Sequence, residues 1–148
     1  MIDYGVARKE ELPELVALLR ILFTQEHELS PDPEKQRRAL GAIFADPSRA
    51  TIFVAREAGK VVAMAALHYT TSTAEGGKSA WFEDLCVLPE ARGKGVGPAL
   101  LRFVLESAKK EGVLRVTLLT DGDNQRAQAL YRKLGFKPSS MLMMRLHL

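Results

Sequence analysis

A chain of 148 residues, 47% apolar and 26% charged, has the composition of one globular domain, which excludes the fibrous, disordered and disulfide-scaffold classes. The net charge of +3 is unevenly spread. Residues 1–31 hold three Lys/Arg against six Asp/Glu, net −3, whereas residues 89–148 hold eleven against five, net +6. One end suits a cationic ligand and the other an anionic one.

In chain order, residues 2–8 read as a short first strand. Apolar positions 12, 15, 16, 18, 19, 22 and 23 recur at helical spacing and predict a helix over 10–26, with Pro13 in its first turn. A polar, proline-containing break over 27–33 leads to a second helix over 33–45, stopped by Asp46-Pro47. Residues 50–57 and 60–69 form a hairpin turning at Ala58-Gly59, its second strand apolar enough to be buried on both faces. After a polar loop over 71–79 comes a strand over 80–88, a glycine-rich connection over 89–97, and a helix to about residue 111 closed by Gly112. A strand over 113–120, a turn, a helix over 125–134 ending at Gly135, and a last strand over 140–148 complete the chain. The order β-α-α-β-β-β-α-β-α-β starts with hairpins and then requires a parallel crossover, so the sheet is a mixed α/β one.

The single cysteine, Cys86, excludes an internal disulfide, and no Cys/His spacing points to a metal. The opening residues lack a secretory-signal pattern, and no apolar run approaches the ~20 residues of a membrane span. A soluble, cytoplasmic protein of one domain (1–148), with no membrane or nucleic-acid partner, is the expectation. The low aromatic content and the lack of a binding motif argue against nucleic acid.

Chemistry concentrates in two stretches. Between a strand and a helix lies Pro89-Glu90-Ala91-Arg92-Gly93-Lys94-Gly95-Val96-Gly97. Glycines let successive N–H groups converge there, and the helix N-terminus adds partial positive charge, a combination that cradles a pyrophosphate. The alternative is a turn that binds nothing. The stretch is neither a Walker A loop nor a dinucleotide fingerprint, since Pro98 stands where the third glycine would be. The second stretch is Asn124-x-x-Ala127-x-x-Leu130-Tyr131-x-x-Leu134-Gly135-Phe136.

Together with Trp81-Phe82-Glu83-Asp84-Leu85-Cys86-Val87, these stretches resemble the GNAT superfamily of acetyl-CoA-dependent N-acetyltransferases. The Glu-Asp-Leu-x-Val-x-Pro-Glu-x-Arg-Gly-x-Gly run is most similar to the spermidine/spermine and thialysine acetyltransferases. The resemblance implies a V-shaped split between the fourth and fifth strands. It implies that Arg92, Gly93, Lys94, Gly95, Val96 and Gly97 hold the CoA pyrophosphate, and that backbone at Leu85, Cys86 and Val87 pairs with the pantetheine and polarises the acetyl carbonyl. Asn124 and Ala127 would border the pantetheine. Tyr131 would protonate the leaving thiolate, and Glu83 would be the general base. Glu26 and His27, with Glu28, Asp32 and Trp81, would face the acceptor, a small-molecule amine or a Lys or N-terminal amine of a protein. The resemblance departs at Pro98, which has no N–H to offer a phosphate.

Residue chemistry bears on these roles separately. Strand alternation places 81, 83, 85 and 87 on one face and 82, 84, 86 and 88 on the other. Two adjacent carboxylates on a central strand are costly without a partner or a task. The competing readings are a paired or capping Glu83 and Asp84, a core Tyr131 and Trp81, a solvated acidic loop at Glu26–Asp32, and a Cys86 that is a small core residue rather than a nucleophile. The functional expectation is direct acetyl transfer in a ternary complex, by a chain that forms a homodimer through its last strand. The alternative is a non-catalytic acyl-CoA sensor or interaction module.

Overall fold

The computed structural model describes residues 1–148. Its five strands are β1 (Ile2–Val6), β2 (Ala50–Glu57), β3 (Lys60–Ser72), β4 (Gly77–Val87) and β5 (Val116–Leu118). Its four helices are α1 (Leu12–Gln25), α2 (Pro33–Ala45), α3 (Val96–Lys110) and α4 (Gln125–Lys133). The strands form one sheet in sequence order, antiparallel from β1 to β4 and parallel from β4 to β5. No helix is long and apolar enough to cross a membrane.

Local signals explain most boundaries. Pro13 sits in the first turn of α1, and Pro33 opens α2 behind Asp32, whose Oδ1 accepts from the Lys35 N–H at 3.3 Å. The β2–β3 turn has Ala58 at φ 50° and Gly59 at φ 78°, the left-handed pair that a two-residue hairpin demands. Residues 61–67 of β3 are all buried because helices cover both faces of the sheet. One core packs Phe53, Leu67, Phe82 and the inner side of α3, including Leu100, Leu101 and Val104. The other packs Leu15, Leu18 and Leu40 from α1 and α2 against Val54, Met64 and Cys86.

Three boundaries differ from the sequence reading. The polar loop before β4 shrinks to residues 73–76, because β3 and β4 continue pairing to Ser72 and Gly77. The fifth strand is only three residues long, since β5 pairs with β4 at 80–82 and then leaves it. Residues 83–87 of β4 therefore have no neighbour on that side, and this is the expected split. The last strand is a correction: residues 140–148 form no strand, and no backbone group from 137 onward bonds to another backbone group. The alternating apolar pattern there is real, but this chain offers it no sheet edge. The segment instead ties Arg145 to Glu28.

Candidate active site

The site begins with one extra residue. Met64 faces Cys86 and Ala66 faces Glu83, so β4 spends three steps where β3 spends two. This β-bulge holds Asp84 at φ 59°, a left-handed conformation that Asp and Asn tolerate best among side-chain-bearing residues. It also resets the alternation. Phe82 lies in the α3 core and Cys86 in the α1 core, so the expected common face for 82, 84 and 86 does not exist. Glu83, opposite Ala66 of the α1 core, and Asp84, which lies close enough to Glu26 at the end of α1 to feel its charge, come to the same side of the sheet.

Beside the bulge the glycine-rich connection turns into α3. Gly93 and Gly95 have φ 76° and 79°, which a side chain would resist. The N–H groups of residues 93–97 donate to no carbonyl, a run of five unsatisfied donors at a helix N-terminus. Pro98, in the first turn of α3, adds none. The groove below them has a volume of about 570 Å³ and is walled by Leu85, Cys86, Val87, Arg92, Gly97 and Asn124, among others. Arg92 is exposed and donates from Nε to the Val87 carbonyl at 2.9 Å, which anchors the guanidinium at the mouth of the split. Val96 is buried in the α3 core, so only its backbone is available to the groove.

Asn124 caps α4, its Oδ1 accepting from the Ala127 N–H at 3.2 Å. That leaves the amide nitrogen free to donate toward the groove. Tyr131 is half-buried, its ring edge-on to Phe136 at 5.9 Å. Burial, and secondarily the charge of Glu26, push its phenol above the ordinary value.

Carboxylates dominate the other side of the cleft. Burial, then Glu83, then Glu26 push Asp84 up to about 6. Burial, then Asp121, raise Glu26, and His27 opposes the shift. Glu83 is half-exposed with the His68 Nε2 at 3.6 Å, and Trp81, on the same face, lies opposite His68. His27 approaches Asp123 at 3.9 Å. Of the residues expected at the acceptor, Glu26 lies near Asp84 and Trp81 opposite His68, whereas His27 is exposed beside Asp123, and none of the three lines the groove. Glu28 is paired with Arg145, and Asp32 is occupied as a helix cap. The thiol of Cys86 is raised to about 11 by burial and bonds the Leu18 carbonyl at 3.4 Å, which makes it an inert core group.

The sequence reading missed His68, which stands beside Glu83, and it missed Leu22 and Gln25 of α1 and Arg126 of α4, which line the groove. His68 was legible in principle. Once the β3–β4 loop is taken as four residues, the hairpin register sets position 68 opposite 81 and diagonal to 83.

The chain as a whole is similar to known proteins. Residues 12–136 match the model of the acetyltransferase (GNAT) family. A GCN5-like protein acetyltransferase from Mycobacterium tuberculosis is 43% identical over 60 residues, 39% of this chain and 29% of that protein. An uncharacterised N-acetyltransferase from Bacillus subtilis is 33% identical over 86 residues, 58% of each chain. The matched region thus spans less than two thirds of these relatives. Among solved structures, a putative acetyltransferase from Agrobacterium tumefaciens superposes with a TM-score of 0.81 at 29% identity, covering 97% of this chain and 99% of that one. A possible acetyltransferase from Clostridium difficile gives 0.89 at 21% identity, covering 100% and 98%.

Proposed function

This chain belongs to the acetyltransferase (GNAT) family, and on that premise we propose that it transfers the acetyl group of acetyl-CoA to a primary amine by direct attack. One observation carries the reading above the rest. Five free N–H groups at the start of α3 adjoin a strand edge that opens beside a bulge, so an anion site and an extended-chain site meet end to end.

Residues 93–97 bind the pyrophosphate, with Arg92 and Lys94 adding charge. The free edge at Leu85, Cys86 and Val87 takes the pantetheine as an added strand, and Asn124 and Ala127 close over it. Acetyl-CoA supplies the activated thioester. The bulge re-aims the backbone near Leu85 so that an N–H can polarise the acetyl carbonyl.

An alkylammonium, with an ordinary pKa of about 10.4, must lose a proton before it attacks. Glu83 takes it, either directly or through water, and Glu26 and Asp84 draw the cation in. A phenol is protonated at neutral pH even at its ordinary value of about 10, and burial pushes Tyr131 further that way; it donates that proton to the departing sulfur. Transfer from so weak an acid is uphill by more than the ordinary phenol–thiol gap, so Tyr131 acts by being in place and protonated rather than by acid strength. Holding amine and thioester together supplies the remainder.

The run around Glu83-Asp84 also supports, more narrowly, an acceptor of the polyamine or thialysine kind. The test is thiol release from acetyl-CoA across a panel of polyamines, amino acids and lysine peptides. Amine-dependent release is expected. Tight acetyl-CoA binding with no release for any amine would favour the sensor reading instead.

A further inference from the structure

A second cavity lies at the end of the sheet away from the split. Its volume is about 290 Å³, and none of its lining residues belongs to the groove already described. Val6 at the end of β1, with Ile43 and Phe44 from the last turn of α2, forms its apolar wall. Val6 exposes 57% of its surface, so this wall is open to solvent. The opposite wall is polar: Tyr69 of β3, Lys78 of β4, and Glu111 at the C-terminal end of α3.

Those polar groups are held in place without being saturated. The hydroxyls of Tyr69 and Thr51 share a hydrogen bond of 2.8 Å, which fixes the phenol. The Lys78 Nζ stands 4.1 Å from the centre of the Tyr69 ring and 3.7 Å from Glu111 Oε2. The Tyr69 hydroxyl is 3.5 Å from the same carboxylate oxygen. Both separations from Glu111 exceed the ~2.5–3.2 Å of well-made hydrogen bonds. One ammonium and one carboxylate thus stand side by side at the cavity, each with hydrogen-bonding capacity to spare.

We propose that this cavity binds a free α-amino acid with an apolar side chain. The charge pattern decides the class. A ligand with a single charge leaves one member of the pair opposed, since a simple carboxylate meets Glu111 and a simple amine meets Lys78. A zwitterion satisfies both: its carboxylate accepts from Lys78 and the Tyr69 hydroxyl, and its ammonium donates to Glu111. The side chain then lies against Val6, Ile43 and Phe44, where burying apolar surface adds affinity. The volume falls at the lower limit of the ~300–1,000 Å³ of small-molecule sites, so the ligand is compact. Along β4, Lys78 and Leu85 are about 20 Å apart at ~3.3 Å per residue. The cavity adjoins the end of α3 and the N–H cradle its start, so the amino acid occupies a site of its own, not the acceptor's.

Binding at this cavity is independent of acetyl transfer and is measured without acetyl-CoA. Backbone amide signals of the isotope-labelled full chain are followed by NMR during titration with L-leucine at millimolar concentration. The amides of Thr51, Tyr69 and Lys78 should move, and those of Leu85, Cys86 and Val87 should not. Isocaproate and isoamylamine, each keeping one of leucine's two charges, should bind about tenfold more weakly or worse, the scale of a lost hydrogen bond to a charged group. Lys78→Met and Glu111→Gln, at positions that are not buried, should each weaken leucine binding by a similar factor while the rest of the amide spectrum stays in place. No movement at Thr51, Tyr69 and Lys78, movement confined to the groove, or a single-charge analogue that binds as tightly as leucine would each overturn the proposal.

Discussion

His68 Nε2 stands 3.6 Å from Glu83 Oε2, joining β3 to β4 on the face covered by α1 and α2. Both groups reach solvent. In the proposed reaction, a proton that Glu83 takes from the amine has a solvent-facing neighbour. Glu83→Gln should lower turnover by about 10²-fold or more, the usual scale for a lost general base. His68→Gln should cost less, roughly tenfold. Steady-state thiol release at saturating acetyl-CoA measures both, and an unchanged Glu83→Gln rate would remove Glu83 from the reaction.

Asp84 makes a prediction about stability that runs against its role. Its carboxyl titrates at about 6 in the folded chain against an ordinary 3.8. Between those values the folded state holds more protons than the unfolded one, so stability falls as pH rises through that window and the cost is complete above it. Asn tolerates the left-handed conformation as well as Asp. Asp84→Asn should therefore stabilise the protein by roughly 1–3 kcal/mol at pH 7, with the gain vanishing near pH 4. Urea denaturation at the two pH values measures it, and amine KM should rise in the same variant.

Tyr131→Phe removes a hydroxyl and keeps the ring that packs on Phe136. Turnover should fall at least about tenfold, with acetyl-CoA affinity by calorimetry essentially unchanged. Parallel loss of affinity would mean that the ring shapes the groove rather than supplying a proton.

Pro98→Ser restores an N–H to the first turn of α3, beside the five already free. Acetyl-CoA affinity should stay equal or improve. A large loss would show that the proline ring itself forms part of the cradle, a role its place in the groove wall allows.

Away from the cleft, Arg56 grips Glu11 through Nε at 2.6 Å and Nη2 at 3.0 Å, fixing the start of α1 to β2. The Arg56 hydrogen bond holds the Glu11 carboxyl down at about 2 against an ordinary 4.5. The stabilisation is whole above the ordinary value and is lost as pH falls toward 2. Glu11→Gln should cost about 3 kcal/mol at neutral pH and flatten acid denaturation over that window. Urea midpoints from pH 7 to pH 3 report it.

The elements were legible where local chemistry sets them. α2 begins behind Asp32 and Pro33 and ends at Asp46, and the β2–β3 hairpin turns at Ala58-Gly59, both as the residues dictate. The groove was legible through glycines 93, 95 and 97, whose purpose is backbone geometry. The bulge was not, because nothing in Glu83-Asp84-Leu85 distinguishes a strand that gains a residue from one that alternates. Position 84 consequently changed faces. The final segment failed differently: its apolar residues read as a strand over 140–148, but nothing in the sequence of the segment shows whether the sheet has an edge to receive it, and within this chain it forms none.

The split at β4 also acts as a ruler. Residues 83–87 span about 13 Å at ~3.3 Å per residue, between the charged mouth at Arg92 and the carboxylates beyond the bulge. An acyl donor that grips the N–H cradle can present its acyl group at the bulge only if its arm covers that length. Short donors such as acyl phosphates would reach one end of the groove or the other but not both, so in the proposed reaction the length of the donor is tested before any acceptor arrives.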